Sequence, residues 1–152
     1  MLILDTKVVS ELMRRVPHPS VVAWLNDRPR RSVWTTAITI LELHQGIQFL
    51  PPGRRRAELH AELDWVLGEH ITLPDATDQP MGNIDGRILS FDSAAARATV
   101  VISAERQRAG RPGELRDSMI AGIAIATGGS LVTRNTRHFA DVPIPLIDPW
   151  IA

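Results

Sequence analysis

Four polar side chains occupy positions from which they could act together in one reaction. Asp5 directly follows the first apolar run of the chain, and Glu42 lies on an otherwise apolar face of a predicted helix. Asp117 lies in the first turn of the most apolar predicted helix, and Asn135 follows a later apolar run. Carboxylates that converge raise one another's pKa unless a cation is present. Oxygen ligands suit Mg²⁺ or Mn²⁺, which activate water, so convergence would indicate metal-assisted phosphodiester hydrolysis.

Each of these side chains also has an ordinary structural interpretation. Asp5 is a good helix N-cap, Asp117 complements a helix dipole, and Asn135 suits a turn after a strand. Glu42 is harder to explain as a structural residue, because burying a carboxylate without a partner is costly. The alternative to a functional role is a structural Glu whose carboxylate reaches the solvent. The acids lie far apart along the chain, so spacing alone does not prove that they converge.

The elements that would position these residues follow an α/β pattern. Short apolar runs predict strands, at residues 2–4, 32–34, 87–91, 130–133 and 145–147. Helix signals predict helices between them, at residues 8–15, 21–27, 37–47, 54–69 and 115–126, with a further Ala-rich helix that begins after Asp92 or Ser93. The Pro- and Gly-rich residues 71–86 are predicted to form an exposed loop. Alternation of strands and helices predicts a mostly parallel central sheet flanked by helices, with ligands at the carboxyl ends of the strands.

Length and composition exclude several classes of protein. A chain of 152 residues fits a single domain over residues 1–152. With no cysteine there is no disulfide framework, thiolate zinc site or cysteine nucleophile. The 17 basic and 17 acidic residues balance, so net charge does not require a nucleic-acid partner. The start does not resemble a signal peptide and no apolar run is long enough to span a membrane, so we expect a soluble cytoplasmic protein.

Other motifs are weaker. The five histidines lack the spacing of a metal site and are interpreted as ordinary, and Asp141 is interpreted as a turn residue or a substitute acid. A phosphoacceptor domain would need paired acids after the first strand and a late lysine, but the only lysine is Lys7. Apolar side chains of the first two predicted helices form either core or a docking surface for a partner: Val9, Leu12, Met13, Val21, Trp24 and Leu25.

Four segments, in this order and spacing, resemble the PIN-domain ribonucleases: residues 2–11, 36–46, 116–121 and 131–135. Within that superfamily the chain is most similar to the FitB-like VapC toxins of bacterial type II toxin–antitoxin systems. The features of that group are residues 9–11, 87–92 and 148–150. The resemblance spans the whole chain and implies a PIN-like three-layer sandwich.

The resemblance also implies a set of site residues. Asp5, Glu42 and Asp117 match the family's acidic positions, which bind Mg²⁺ or Mn²⁺, and Asn135 matches the fourth catalytic position, which is often Asp. The neutral amide of Asn135 weakens the case for a second tightly held ion. Lys7 stands where the family usually has Asn or Ser. The alternative is therefore a catalytically weak or inactive PIN-fold binding module.

The resemblance finally implies partners. We expect an RNA substrate, a homodimer, and a cognate VapB-type antitoxin that occupies the acidic groove of the toxin. In the family the other end of the antitoxin binds operator DNA, so this chain would reach DNA only through the antitoxin. No membrane partner is expected.

Overall fold

A five-stranded parallel sheet forms the centre of the computed structural model, which describes residues 1–68, 84 and 86–152. Its strands are β1 (Leu2–Leu4), β2 (Val33–Thr36), β3 (Ile88–Leu89), β4 (Ser130–Val132) and β5 (Leu146–Ile147). They lie in the order β3-β2-β1-β4-β5. Leu4 pairs with Thr35 on one side and with Val132 on the other, so β1 is the central strand. The predicted α/β fold with a mostly parallel sheet is confirmed.

Helices connect the strands and cover both faces of the sheet. They are α1 (Thr6–Leu12), α2 (Pro19–Asn26), α3 (Ala37–Gln48), α4 (Arg54–Leu67), α5 (Ser93–Arg108) and α6 (Leu115–Thr127). Short 3₁₀ turns lie at Arg30–Ser32 and Thr136–Phe139. None of the helices within the described ranges has the length and apolar character needed to cross a membrane.

Several helices begin at a side chain that caps them. The Thr36 hydroxyl oxygen accepts a hydrogen bond from the Thr39 N–H at 3.0 Å, and Asp92 accepts one from the Ala95 N–H at 2.9 Å. The first helix was predicted over residues 8–15, but it begins directly after the strand because Asp5 caps it. The prediction of its end at residue 15 was also too late.

The sheet separates two apolar clusters, because successive strand residues point to opposite faces. Leu4 packs with α1, α2, α3 and α4, whereas Ile3 packs with α5 and α6. Val21 is fully buried and Trp24 is only 7% exposed. Most of the apolar side chains of the first two helices therefore belong to the core. Met13 also lines a groove formed by α1, α3 and α4, so the docking alternative stays a prediction for that residue.

The loop predicted over residues 71–86 falls mostly outside the described residues. Within it the structure describes Ile84 and Gly86. Ile84 is fully buried among α1, α3 and α4, so the prediction of an exposed loop was wrong at this position. A single apolar side chain in a Pro- and Gly-rich stretch carries no periodicity that would indicate its burial.

Helices α5 and α6 lie unusually close together. A Cβ atom added to Gly122 would lie 2.2 Å from the Thr99 Oγ1 and 2.6 Å from the Ala95 carbonyl oxygen. Only glycine leaves room for this approach, so Gly122 fixes the position of α6 against α5. Because α6 carries Asp117 in its first turn, this contact also positions a candidate site residue.

Candidate active site

Asp5 lies at the carboxyl end of the central strand, and the structure uses both oxygens of its carboxylate. Oδ1 accepts a hydrogen bond from the Val8 N–H at 2.9 Å, which caps α1. Oδ2 accepts a hydrogen bond from the Thr133 hydroxyl at the end of β4. The side chain is buried, with the residue only 5% exposed. Asp5 is therefore an N-cap, as one interpretation of the sequence held, and the cap leaves its carboxylate at the edge of the sheet where ligands bind.

The charge of Asp5 is poorly compensated. The pKa of Asp5 is raised from 3.8 to about 6, mainly by burial and to a smaller extent by the negative charge of Asp117. Hydrogen bonds from Thr133 and from the backbone of Val8 and Lys7 act in the opposite direction. Asp117 is thus within electrostatic range of Asp5, although the two residues lie in distant parts of the sequence. Two of the sequence-predicted site residues therefore lie close together.

Glu42 reaches the same edge from α3. Its Oε2 accepts a hydrogen bond from the hydroxyl of Thr6, the residue that follows Asp5. Glu42 is half-buried, and Leu41 beside it is 52% exposed. The expectation of an apolar face around Glu42 was therefore wrong for Leu41, which points to solvent although Leu43 on the same helix is buried in the core.

Asp117 has a partner that the sequence did not reveal. Its Oδ2 lies 2.9 Å from Nδ1 of His138, which belongs to the 3₁₀ turn after β4. The interpretation of the histidines as lacking metal-ligand spacing did not reveal this contact. His138 lies 21 positions after Asp117 on a different element, so no periodic signal connects the two.

Asn135 is joined to Asp5 through a hydroxyl group. The backbone N–H of Asn135 donates to Oγ1 of Thr133 at 2.9 Å, and the same hydroxyl donates to Asp5. Asn135 therefore lies at the edge of the sheet beside the first acid, in the turn where the sequence placed it. Whether its amide binds an ion stays a prediction.

A buried guanidinium supports this edge from below. Arg106 of α5 is only 5% exposed and donates to both carboxylate oxygens of Asp141, each at 2.8 Å. It also donates to the Ser118 hydroxyl at 3.0 Å and to the His138 carbonyl at 2.7 Å. Arg106 thus links α5 to the neighbour of Asp117 in α6 and to the turn that holds His138.

The role of Asp141 differs from both interpretations of the sequence. Its hydrogen bond from Arg106 holds the pKa of Asp141 below its ordinary value of 3.8. Asp141 is therefore neither a simple turn residue nor a substitute acid at the site, but the counter-ion of a buried arginine. An arginine in a helix that also carries exposed arginines looks solvent-exposed in the sequence, which is why the pair was missed.

The donor set at this edge fits a divalent cation held by few protein ligands. Among residues 1–68, 84 and 86–152, no three acidic or histidine side chains are grouped closely enough to hold an ion by themselves. Mg²⁺ often uses only one or two carboxylates and completes its shell with water and substrate phosphate. Asp5 and Asp117 supply such a pair of oxygen donors, and their mutual repulsion is what a cation would relieve.

A groove of about 880 Å³ opens beside the candidate site. Thr6 and Glu42 lie at its acidic end, and its walls come from α1, α3 and α4. Apolar and charged side chains share these walls: Met13, Leu43, Ile47, Leu50 and Leu59 with Arg14, Arg15, Arg55, Glu58 and Glu62. A long ligand with both apolar and charged groups would match this surface.

Comparison with known proteins agrees with the fold. The family model for the PIN domain matches residues 2–145. The chain is 34% identical to the plasmid stability protein StbB of Pseudomonas syringae pv. tomato over 152 residues, which is 100% of each chain. It is 33% identical over 150 residues to the VapC ribonuclease Y4jK of Sinorhizobium fredii, covering 99% of this chain and 98% of that one. The crystal structure of FitAcB from Neisseria gonorrhoeae superposes with a TM-score of 0.79 at 30% identity and covers 100% of both chains. The chain belongs to the PIN-domain family.

Proposed function

We propose that this chain is a metal-dependent endoribonuclease and the toxin of a VapBC-type toxin–antitoxin system. One observation carries the proposal: the carboxylate of Asp5 is buried at the carboxyl edge of the sheet and held there by two hydrogen bonds, within electrostatic range of Asp117. The full-length similarity to a VapC ribonuclease supports RNA as the substrate.

The side chains at this edge have separate tasks in the proposed reaction. Asp5 and Asp117 would hold Mg²⁺ or Mn²⁺ directly. Glu42 would act as the third acidic group through a water of the ion, since the three acids are not grouped closely enough to bind it together, and the Asn135 amide would be a neutral fourth group. A bound ion of this kind polarises a phosphoryl oxygen and lowers the pKa of its water, which supplies the nucleophile for phosphodiester hydrolysis.

Neighbouring groups keep these ligands in place before any ion or substrate arrives. The Thr133 hydroxyl and the Val8 N–H fix both oxygens of Asp5, and the Thr6 hydroxyl orients Glu42. His138 holds Asp117 at 2.9 Å. Ligands that are held in advance need not reorganise during the reaction, which is the main source of electrostatic catalysis.

We further propose a VapB-type antitoxin as the partner of this toxin. The solved relatives include FitAcB from Neisseria gonorrhoeae and DNA-bound VapBC from Salmonella typhimurium, the latter with a TM-score of 0.73 at 26% identity. The groove beside Thr6 and Glu42 offers an apolar wall to anchor a peptide and carboxylates to pair with a basic side chain. Balanced charge favours contact with operator DNA through the antitoxin alone. A homodimer and a cytoplasmic location complete the proposal.

Cleavage of RNA by a charge-neutral variant tests the proposed activity. We expect wild-type protein to cut total bacterial RNA with Mg²⁺ or Mn²⁺ and not with EDTA. Asp5→Asn should lower the rate by about 100-fold or more, a typical loss when one electrostatic group of an active site is removed. Asp27→Asn is the matched control, because Asp27 carries an exposed carboxylate at the end of α2.

Two outcomes would contradict the proposal. If Asp5→Asn cuts RNA as fast as wild type, Asp5 does not hold a catalytic ion. If the wild-type protein binds RNA or an antitoxin but cuts nothing with either cation, the chain is a PIN-fold binding module. The neutral Asn135 at the fourth position is the feature that favours this second candidate.

A further inference from the structure

A second pocket borders the candidate site on the side of Asp117. It has a volume of about 360 Å³, and its lining combines the basic side chains Arg106, Arg111, Arg137 and His138 with the acidic side chains Glu114, Asp117 and Asp141. We call it the arginine pocket. Asp117 therefore belongs both to the acidic edge of the sheet and to a pocket that also carries three arginines.

Two arginines of the arginine pocket are exposed to solvent, and a third is buried. Arg106 at its base is buried and donates to Asp141, Ser118 and a carbonyl group, so its charge is already compensated. Arg111 and Arg137 are exposed, and within the described part of the chain their guanidinium groups make no hydrogen bond or ion pair. The charge of Arg111 helps to lower the pKa of Asp141, but neither exposed guanidinium is held by a hydrogen bond, so both can turn toward an anion from solution.

The buried Arg106 holds both walls of the pocket in place. The N–H of Arg111 donates to the Arg106 carbonyl at 2.9 Å, and Arg106 itself donates to the His138 carbonyl at 2.7 Å. A Cβ atom on Gly113 would lie 2.7 Å from Nη1 of Arg106, so the loop that carries Arg111 packs directly on the guanidinium. The backbone that carries Arg111 and Arg137 is thus fixed by one residue of α5.

We propose that the arginine pocket binds a backbone phosphate of the RNA substrate, adjacent to the phosphate that is cut at Asp5 and Asp117. This inference rests on the proposed function and adds a substrate-binding subsite to it. A guanidinium group donates two parallel hydrogen bonds to phosphate oxygens, which is why arginine suits this task.

A nucleic acid fits this pocket better than an acidic peptide does. Since Asp117 lines the pocket and acts electrostatically on Asp5, a ligand in the pocket would lie next to the acidic edge. An RNA strand carries one phosphate per nucleotide, so it places a second anion beside the one at the acidic edge without any special sequence. Binding of this kind is independent of base identity and sensitive to salt.

Neutral variants of the two arginines test the subsite. The variants are made in the Asp5→Asn background, so that RNA is bound but not cut, and they are Arg111→Gln, Arg137→Gln and the double variant. The probe is a fluorescein-labelled single-stranded RNA of mixed sequence. Its binding is measured by fluorescence anisotropy at constant Mg²⁺ and varied salt. Each single variant should weaken binding by about fivefold and lower the slope of log affinity against log salt by about 0.7. In the Asp5-containing protein the same variants should raise KM and leave kcat nearly unchanged.

The controls separate this proposal from the activity on which it rests. Arg97→Gln removes an exposed arginine of the same helix as Arg106, outside the arginine pocket, and should change neither affinity nor slope. Arg111→Lys and Arg137→Lys keep the charge and should recover most of the salt slope.

Unchanged KM and salt slope in the double variant, with wild-type cleavage intact, would overturn the subsite and leave the proposed function standing. A double variant that loses antitoxin binding but keeps RNA binding would assign the pocket to the protein partner instead, and would also overturn it. A wild-type protein that neither binds nor cuts RNA would refute the proposed function, and the subsite with it.

Discussion

The Asp5→Asn substitution should stabilise the metal-free protein at neutral and alkaline pH. Asn keeps the shape of the side chain and an oxygen that accepts from the Val8 N–H, so the cap of α1 is retained. What it removes is a negative charge that is buried beside Asp117. The substitution therefore separates the electrostatic cost of the site from its structural role.

The magnitude follows from the pKa of Asp5. Burial, reinforced by the charge of Asp117, raises this pKa from 3.8 to about 6 in the folded protein. Between these values the folded state holds a proton that the unfolded state has released, so wild-type stability falls as the pH rises through this window. Above about pH 6 the full penalty applies, and it is about 3 kcal/mol. Weakening the hydrogen bond from Thr133 costs the variant about 1 kcal/mol, which leaves a gain of about 2 kcal/mol.

Urea unfolding in EDTA at a series of pH values measures this gain. The variant should be more stable than wild type at about pH 8, and the difference should shrink toward about pH 4. Adding Mn²⁺ should stabilise wild type and leave the variant nearly unchanged, because only the wild-type carboxylate binds the ion. The control Asp27→Asn should show neither effect, since its carboxylate is exposed. A variant that is less stable than wild type at about pH 8, by the same amount at every pH, would refute the reasoning.

Three further predictions concern the supports of the site and its fourth position. Asp141→Asn should destabilise the protein by about 1 to 3 kcal/mol in urea unfolding, because it removes the carboxylate partner of a buried guanidinium. The lowered pKa of Asp141 means that this difference should shrink as the pH falls below 3.8. Gly122→Ala should lower the free energy of unfolding by about 1 to 3 kcal/mol in thermal unfolding, since its Cβ would lie 2.2 Å from Thr99 Oγ1. The control Gly46→Ala should be neutral or stabilising, because its Cβ meets nothing within 4 Å. Asn135→Asp should tighten Mn²⁺ binding measured by calorimetry, and an unchanged affinity would withdraw Asn135 from the ligand set.

Local signals were enough to predict the sheet and the position of Asp5. A short apolar run predicts a buried strand, and an acid directly after it predicts a helix cap at the strand end. Both are properties of a few neighbouring residues, which is why they could be identified without the structure. Because all strands run parallel, a residue after β1 and a residue after β4 must reach the same edge. Asp5 and Thr133 meet there as a direct consequence.

Partners between distant segments could not be predicted in this way. Arg106 and Asp141 lie 35 positions apart, and neither belongs to a pattern that marks it as buried. The sequence also did not show what covers the apolar face formed by Val21 and Trp24, which is buried in the core. An amphipathic pattern indicates that a face is covered, but it does not say whether the cover is the chain itself or a partner.

The supports around Asp117 explain how an unfavourable pair of charges persists in the folded protein. Repulsion between Asp5 and Asp117 would be relieved if α6 moved away, but Gly122 packs that helix directly against α5. The cap of α1 holds Asp5, and His138 holds Asp117 at 2.9 Å, so neither carboxylate can turn aside without losing a hydrogen bond. The negative charge therefore stays concentrated at the edge of the sheet, where binding a cation is the remaining way to lower the electrostatic free energy. The repulsion between these carboxylates lowers the stability of the metal-free protein, but it also means that the ligands of the proposed ion are already in place before the ion binds.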